Sequence, residues 1–493
     1  MQQYPKRYGL GLADLAEHPC KNCTVRRTAE IFLSDADDWE VILAKYGING
    51  IWDTTDPEDY TKVLVSAEEK HEAVIKALEG VIGEAPEWMK NLELRNDKAR
   101  QLNHRRMSNN SVAFEKKPSR KMLNLMFTIM KNEGEPGFVN LEEARRRRPN
   151  AEGLNPCVEI ILDSYGVCNL TTINVTAFII ANGDGTYSLD EAALLRAQEL
   201  SSRIGLRMTL ANLELPHWNK IQKRDALVGT SLTGWKDTMA ILGYDEEQEK
   251  DLMRKMKKSS RDAVDVYAKE LRVPSPLLAT TVKPEGTLSQ VAKNPITNSP
   301  VSSGLHVSHA PYYIRRIRIN SNDPLAKVAR MLGWTVHAEV GTNGELSPEK
   351  LATEEALAAA RTWVIDFPVA SGATVNKDDV RVKEQFDTYF NFMKDYVEHN
   401  ASNTIHVRPE EWEEAEQIVW DGWDDFVGVS FLSHDGGSYT LAPYETITKE
   451  KYEELTASMT AFNVSVLHDV EKTETSGDLG SMDDCSTGVC PIR

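Results

Sequence analysis

Residues 155–162 read NPCVEIIL and are the most informative segment of this 493-residue chain. The alternation from Val158 onward predicts a strand, and the Asn-Pro pair before it is a turn signal, so Cys157 is expected on a loop just ahead of that strand. In an extended segment the spacing of two puts Asn155, Cys157 and Glu159 on one side. That side then carries a hydrogen-bond donor, a thiol able to carry a hydrogen atom, and a carboxylate base.

A second cysteine follows in a β-rich stretch, VCNLTTINV at residues 167–175. Residues 170–175 alternate as a strand does, and Tyr165-Gly166 is a turn signal. Cys157 and Cys168 could simply be two small buried side chains packed between strands. The neighbouring amide and carboxylate favour the other interpretation, in which both thiols belong to a reactive site.

The six cysteines form three close pairs, namely Cys20 with Cys23, Cys157 with Cys168, and Cys485 with Cys490. They are too sparse for a secreted disulfide scaffold, and in a reducing compartment close pairs favour metal binding or redox chemistry. The last pair follows a polar stretch at residues 471–478, which predicts a mobile tail. A dithiol on such a tail can reduce a disulfide elsewhere by exchange. A zinc-binding pair is the alternative, although the tail offers no further Cys or His ligand.

The composition is that of a globular chain, with 41% hydrophobic and 27% charged residues and no run of about 18 apolar residues. Lys+Arg 57 against Asp+Glu 75 gives a net charge of −18, which argues against binding to nucleic acid or an anionic membrane. The first residues lack the apolar core of a signal peptide, so a cytoplasmic protein is expected. The length allows about three domains or one large α/β barrel with appendages.

The segment around Cys157 resembles the Asn-Pro-Cys-x-Glu signature of ribonucleotide reductase large chains, specifically the adenosylcobalamin-dependent class II type and most closely its monomeric ribonucleoside-triphosphate reductases. The resemblance implies that Cys157 forms the thiyl radical that abstracts the substrate 3′ hydrogen. It also implies that Glu159 accepts the 3′-hydroxyl proton and that Asn155 hydrogen-bonds the ribose hydroxyls. Cys168 matches one half of the dithiol that reduces the 2′ position, and Cys485 with Cys490 matches the tail pair that regenerates it. No metal ligands are implied.

A further resemblance lies at KPEGTLSQ, residues 283–290, which is similar to the substrate-phosphate loop of the same enzymes. It implies phosphate contacts from Pro284, Glu285, Gly286, Thr287, Leu288 and Ser289. The residue types suit that role, because glycine permits close backbone approach and hydroxyls at the start of a helix lie beside its free N–H groups. The same composition is also ordinary loop chemistry. Other matching segments lie at residues 26–30, 107–111, 134–137, 229–235, 298–306 and 429–437.

The resemblance implies an α/β fold, an incomplete ribonucleotide-reductase-type ten-stranded α/β barrel with a finger loop that carries the radical cysteine and a flexible C-terminal redox tail. Residues 1–23 are then an N-terminal lead-in, residues 24–465 the catalytic barrel portion with inserted and C-terminal helical and strand appendages, and residues 466–493 the tail. Three other segments are expected to be scaffold. These are the charged end of a short helix at residues 145–148 and helical stretches at residues 348–364 and 380–399, the latter with core aromatic residues.

Family members place the partner of Cys168 upstream, in a region with effector-binding elements, and Cys20 and Cys23 do not match that position. A separate N-terminal chain is therefore expected to supply the missing cysteine and the effector site. The implied activity is the reduction of ribonucleotides, as triphosphates, to 2′-deoxyribonucleotides, with adenosylcobalamin as cofactor and thioredoxin or a similar dithiol as reductant. The alternatives are a class I large subunit and an inactive fragment that acts as an interaction subunit.

Overall fold

A computed structural model describes residues 111–133, 136–342, 347–434 and 440–475, together with residues 72, 75, 76, 79, 80, 83, 84 and 90. The predicted lead-in at residues 1–23 and four of the six cysteines, Cys20, Cys23, Cys485 and Cys490, lie outside this part of the chain. None of the helices described has the length and apolar character needed to cross a lipid bilayer.

The described helices and strands follow one another in three stretches. The first contains β1 (Ser111–Phe114), α1 (Arg120–Glu133), β2 (Gly137–Asn140), α2 (Leu141–Arg147), β3 (Gly153–Leu154), β4 (Ile161–Leu162), β5 (Asn169–Asn174), a 3₁₀ turn (Val175–Phe178), β6 (Ile179–Ala181), β7 (Tyr187–Leu189), α3 (Glu191–Met208), α4 (Pro216–Asp225), β8 (Val228–Thr233), α5 (Trp235–Leu242), α6 (Glu246–Leu271) and α7 (Leu288–Val291). The second contains β9 (Tyr312–Asn320), α8 (Pro324–Met331), β10 (Val336–Ala338), α9 (Pro348–Leu351), α10 (Glu354–Ala359) and β11 (Thr362–Ala370). The third contains α11 (Val382–Asp395), β12 (Thr404–Val407), α12 (Trp412–Asp421), β13 (Ser430–Ser433), β14 (Tyr444–Thr446), α13 (Lys449–Ser458) and α14 (Val464–Thr475).

The chain divides into two compact units. Unit 1 takes the described residues of 1–311 and 371–436, and unit 2 takes those of 312–370 and 437–493. Unit 1 is α/β with parallel strand pairs, β1 with β2, β5 with β8 and β12 with β13. Isolated parallel bridges also join Thr230 to Thr280 and Val282 to Ala401, so these segments run in the same direction as their neighbours. The α/β class is confirmed, although the strands of the described residues do not close into a barrel.

Strand β8 lies in the core of unit 1 although half of its residues are Thr or Ser. All six residues of β8 are buried, as expected for a parallel strand covered on both faces. Gly229 is required there by close approach, because a Cβ atom would lie 2.5–2.9 Å from three side-chain carbons. Helix α11 packs its aromatic face into this core, with Phe386 and Tyr389 among its fully buried residues. The prediction that the aromatic residues of 380–399 are core is thus confirmed.

Unit 2 is built on an antiparallel sheet of order β10-β11-β9-β14. The helix predicted for residues 348–364 is wrong in its extent. Two short helices occur instead, because Thr353 accepts from the Ala356 N–H and starts α10, and the β-branched run that begins at Thr362 joins the sheet.

The predicted tail boundary at residue 466 also needs correction, because α14 runs from Val464 to Thr475. Val466, Leu467 and Val470 fall at helical spacing and are half-buried, and α14 contacts α8. Residues 466–475 are therefore helical, and the prediction of a flexible tail stands only for residues beyond them.

Candidate active site

Cys157 lies in the loop of a short hairpin, between the antiparallel strands β3 and β4. The predicted loop is confirmed, but the predicted extended segment is wrong. Val158 has a φ of 67°, and its N–H donates to the Asn155 carbonyl at 2.8 Å, so the chain turns there. The turn brings Asn155 Nδ2 to 2.6 Å from Glu159 Oε2, while Asn155 Oδ1 accepts from the Ile160 N–H at 2.9 Å. Asn155 therefore holds the loop closed and the carboxylate in place.

Three buried polar residues from distant segments fix this loop from below. Asn400 Nδ2 donates to the Val158 carbonyl at 2.9 Å, and the Thr281 hydroxyl donates to the Glu159 carbonyl at 2.8 Å. His399 Nδ1 accepts from the backbone of β4 at 3.2 Å, and its Nε2 lies 3.0 Å from the carbonyl that begins β8. Sequence analysis missed all three, because they lie more than 100 residues from the loop and no local pattern marks them.

The two thiols differ in exposure. Cys157 is exposed, and Cys168 is half-buried directly ahead of β5. The protein around the Cys157 sulfur still removes part of its hydration and raises its pKa. The Glu159 carboxylate raises this pKa further, and Lys283 opposes the increase. Burial raises the pKa of Cys168 to about 12, with Glu159 and Cys157 contributing in the same direction. Both sulfurs and the carboxylate therefore lie close enough to influence one another, and both thiols stay protonated at neutral pH.

Glu159 is 3% exposed. Burial raises its pKa above the usual carboxyl range, and the hydrogen bond from Asn155 and the charge of Lys283 only partly offset this effect. The nearby carboxylate of Glu285 raises the pKa further. A carboxylate with a raised pKa is a better base than an exposed one, so Glu159 is suited to accept a proton near neutral pH.

The loop at residues 284–289 is only partly open to solvent. Gly286, Thr287 and Leu288 are exposed, and the short helix α7 begins at Leu288, close to the start predicted. Ser289 is fully buried, so its hydroxyl does not reach the exposed part of the loop. Pro284 is half-buried at the start of the loop. The loop thus offers backbone groups more than side chains.

The Glu285 side chain points into the protein instead of outward. Its Oε1 accepts hydrogen bonds from Thr172 at 2.7 Å and from Ser231 at 2.8 Å. Its Oε2 has no hydrogen bond in the described part of the chain and lies 3.7 Å from the ammonium of Lys283. Sequence analysis did not find Lys283 as a site residue, although it stands in the quoted segment.

Arg148 corrects the expectation for residues 145–148. Arg145 to Arg147 do form the basic last turn of α2, as predicted, but Arg148 is fully buried. Its guanidinium pairs with Asp225 and donates to the Ile161 carbonyl in β4 at 2.7 Å. Arg148 also acts on the pKa of Cys168, which it lowers against the larger effect of burial. This arginine therefore supports the reactive loop rather than the surface.

Comparison with known proteins agrees with this arrangement. Residues 46–260 match the family described as ribonucleotide reductase, barrel domain. The adenosylcobalamin-dependent ribonucleoside-triphosphate reductases of Lactobacillus helveticus and Lactobacillus acidophilus are each 29% identical over 437 residues, covering 82% of this chain and 55% of theirs. This chain thus spans about half the length of the curated relatives it matches.

The fold agrees as well. A crystal structure of a B12-dependent (class II) ribonucleotide reductase superposes with a TM-score of 0.59 at 22% identity, covering 85% of this chain and 61% of that chain. The family match spans the loop with Cys157 and the strand that follows Cys168, where the described side chains come together. This chain is therefore similar to ribonucleotide reductases, and its residues 46–260 match the barrel domain of that family.

Proposed function

We propose that this chain carries the catalytic centre of an adenosylcobalamin-dependent ribonucleotide reductase, which converts ribonucleoside triphosphates to 2′-deoxyribonucleotides. The observation that carries the proposal is the grouping of Cys157, Cys168 and Glu159 in one site, with Asn155 bonded to the carboxylate. The names of the curated relatives support the same activity.

The protonation state of the thiols favours hydrogen-atom chemistry. A cysteine that acts as a nucleophile has a lowered pKa, because the thiolate is the reactive form. Here the pKa of Cys157 and that of Cys168 are both raised, so each sulfur keeps its hydrogen. In the proposed reaction Cys157, as a thiyl radical, takes the 3′ hydrogen atom of the ribose and later returns it.

Glu159 is proposed as the base for the 3′-hydroxyl. The proton moves from that hydroxyl to a carboxylate oxygen, and the Asn155 amide, which donates to Oε2 at 2.6 Å, holds the carboxylate in place. Burial makes proton uptake favourable, because it destabilises the charged form of Glu159. The buried Glu285 beside Lys283 adds to that effect.

The reduction at the 2′ position requires two electrons and two protons. The 2′-hydroxyl leaves as water, a carbon–hydrogen bond forms in its place, and two thiols become a disulfide. Cys168 supplies one thiol in this proposal, and a separate N-terminal chain supplies the other. Cys485 and Cys490 then reduce the disulfide by exchange, and thioredoxin or a similar dithiol reduces that pair in turn.

Substrate phosphates are proposed to bind at residues 284–289. The exposure of Gly286, Thr287 and Leu288 supports this placement, because N–H groups in an open loop can donate to phosphate oxygens. The buried side chains of Glu285 and Ser289 hold the loop from the inside instead.

The described site fits a radical-forming cofactor at one point. The Cys157 thiol is exposed, so a group bound at that face can reach its hydrogen without rearrangement of the core. Adenosylcobalamin, when bound, would supply the radical that removes this hydrogen atom. The protein then contributes a fixed loop, held by Asn400 and Thr281, that keeps the sulfur in position.

Two alternatives are less well supported. A class I large subunit receives its radical through a tyrosine pair in a late barrel strand, whereas Tyr312 and Tyr313 lie in β9 of unit 2. An inactive fragment would not need a hydrogen bond from Asn155 to Glu159 beside two thiols.

The test is to mix the chain with adenosylcobalamin, a ribonucleoside triphosphate and dithiothreitol or thioredoxin, with and without a candidate N-terminal chain. Deoxynucleotide that forms only with the cofactor and disappears in Cys157→Ser would support the proposal. The Cys485→Ser/Cys490→Ser variant is the matched control, because it should lose activity with thioredoxin and keep it with dithiothreitol. No product under any combination would refute the proposal.

A further inference from the structure

A cavity of about 530 Å³ opens in unit 1 between α6 and α11, away from the reactive loop. A smaller cavity of about 380 Å³ adjoins it and shares several lining residues. We call the pair the basic cavity. The larger part is lined by four cationic side chains and one acidic side chain, which are Arg147, Lys257, Arg261, Lys394 and Glu398. The lining therefore has a charge of +3 (four positive minus one negative) in a chain whose net charge is −18.

Two of the four cations are held in fixed positions. Arg147 pairs with Glu143 at 2.8 Å and donates to the Met393 and Val397 carbonyls at 3.2 Å each. Arg261 donates to Glu398 at 3.1 Å and to the Pro276 carbonyl at 2.8 Å. Because the protein already orders these guanidinium groups, a ligand would not have to pay for ordering them.

The other two cations, Lys257 and Lys394, form no ion pair or hydrogen bond with any residue that the structure describes. Lys257 is half-buried, and burial lowers its pKa. The charges of Glu398 and Asp395 oppose that effect, and those of Arg147 and Arg261 add to it. Lys394 is exposed at the opposite wall, on α11. A half-buried ammonium that makes no direct ion pair has lost part of its hydration, and the nearby carboxylates offset that loss only partly. An anion bound between the two lysines would supply the missing hydrogen bonds and charge.

The cavity also has an apolar wall. Leu277 is 49% exposed at its rim, and Leu278, Met393 and Val397 form the buried surface behind it. Cations on one side and exposed apolar surface on the other suit a ligand with an anionic part and an apolar part. The volume lies in the range of small-molecule sites, roughly 300–1,000 Å³.

The basic cavity is distinct from the candidate active site. Leu278 lines the cavity, whereas Lys283, five residues on in the same extended segment, belongs to the reactive site. At about 3.3 Å per residue the two ends are roughly 16 Å apart. A ligand in the cavity therefore cannot occupy the substrate position at the same time.

We propose that the basic cavity binds a small di- or triphosphate that carries an apolar group, as a nucleotide does. The phosphates lie between Lys257 and Lys394, with the fixed guanidinium groups of Arg147 and Arg261 beside them. The apolar group rests on Leu277. This inference goes beyond the proposed function and does not depend on it.

Equilibrium dialysis of the full chain tests the proposal, with inorganic tripolyphosphate, ATP and adenosine as probes. We expect saturable binding of tripolyphosphate and ATP that weakens as salt is added, and much weaker binding of adenosine. In Lys257→Gln/Lys394→Gln the affinity for tripolyphosphate should fall at least about tenfold, since two charge-assisted contacts are lost.

The matched control is Lys269→Gln/Lys383→Gln, which removes the same charge from the same two helices. Lys269 lies twelve residues from Lys257, about 18 Å along α6. This control should keep the parent affinity, and thermal unfolding would confirm that both variants are folded. Absence of saturable tripolyphosphate binding would overturn the proposal. Equal affinities in the two variants would also overturn it, because the anion would then bind elsewhere or through net charge alone.

Discussion

Replacing Asn400 by alanine is expected to loosen the loop that carries Cys157. The Asn400 side chain is fully buried, and its Nδ2 donates to the carbonyls of Val158 and Gly428 at 2.9 Å each. Its Oδ1 accepts from the Tyr389 hydroxyl, also at 2.9 Å. The variant thus removes three hydrogen bonds at once and leaves their partners buried without replacements.

The magnitude follows from these contacts. A buried hydrogen bond whose partner stays behind costs about 1–1.5 kcal/mol, so Asn400→Ala should lower the free energy of unfolding by about 3–4 kcal/mol. Tyr389→Phe should also cost about 3–4 kcal/mol, because the hydroxyl makes three hydrogen bonds. It donates to Asn400 and accepts from the backbone N–H groups of Val427 and Gly428 at 3.1 and 3.3 Å. The two residues share one bond, so the double variant should be less destabilised than the sum by about 1 kcal/mol.

Urea unfolding, followed by tryptophan fluorescence, measures the free energy of unfolding of the parent protein, the two single variants and the double variant. Asn391→Ala is the matched control on α11, since among the described residues its side chain makes a single hydrogen bond, at 3.1 Å, to the exposed carboxylate of Glu246. It should cost less than about 0.5 kcal/mol. Additive effects in the cycle, or a loss below about 1 kcal/mol for Asn400→Ala, would refute the role given to Asn400.

Three further predictions concern charge, packing and protonation. Glu159→Gln should lower the pKa of Cys157 and speed the alkylation of this thiol by iodoacetamide near pH 8, whereas Lys283→Gln should slow the alkylation. Peptide mass spectrometry measures both rates. If the two variants changed the rate in the same direction, the opposite effects assigned to Glu159 and Lys283 would be wrong. Gly229→Ala should cost about 1–3 kcal/mol in thermal unfolding, because the added methyl lies 2.5–2.9 Å from three side-chain carbons, and an unchanged melting temperature would contradict this. His399 has its pKa lowered by burial to about 3. The stability that it contributes is therefore complete above the unfolded pKa of about 6.5 and is lost as pH falls toward 3, by up to about 1.4 kcal/mol per pH unit. Unfolding measured between pH 7 and 4.5 should show a shallower slope in His399→Gln.

The position of the reactive loop was predicted correctly from the sequence, and its backbone geometry was predicted incorrectly. Both outcomes follow from the fact that sequence patterns record only local interactions. Turn signals depend on local residues, so Asn-Pro ahead of an apolar run marked the loop of Cys157 well. The positive φ of Val158 depends on hydrogen bonds from Thr281 and Asn400, which no local pattern records. Asn155 and Glu159 therefore meet through a turn, although their spacing suggested one side of a strand.

A similar limit applies to the loop at residues 284–289. Its composition indicated a phosphate loop, and the exposure of Gly286 and Thr287 agrees with such a use. The inward direction of Glu285 could not be predicted, because it depends on two hydroxyls, those of Thr172 and Ser231, supplied by strands β5 and β8. The strand that follows Cys168 was easier to predict. Residues 170–175 were expected to be extended because they alternate, and β5 covers Asn169–Asn174, since alternation is a pattern of neighbouring residues.

The net charge of the chain does not predict the local charge at a binding site. A value of −18 averages over the entire surface, whereas screening at physiological salt confines an exposed charge to roughly 8 Å. Within that distance a ligand at the basic cavity meets Lys257, Lys394 and Arg261, and the acidic residues of the lining are Asp395 and Glu398. The acidic excess still matters, because it weakens the long-range attraction of large polyanions that the cavity charges would otherwise produce. An acidic protein with a locally basic cavity should therefore discriminate in favour of small phosphates and against nucleic acid, and the cavity charges and the net charge set that preference together.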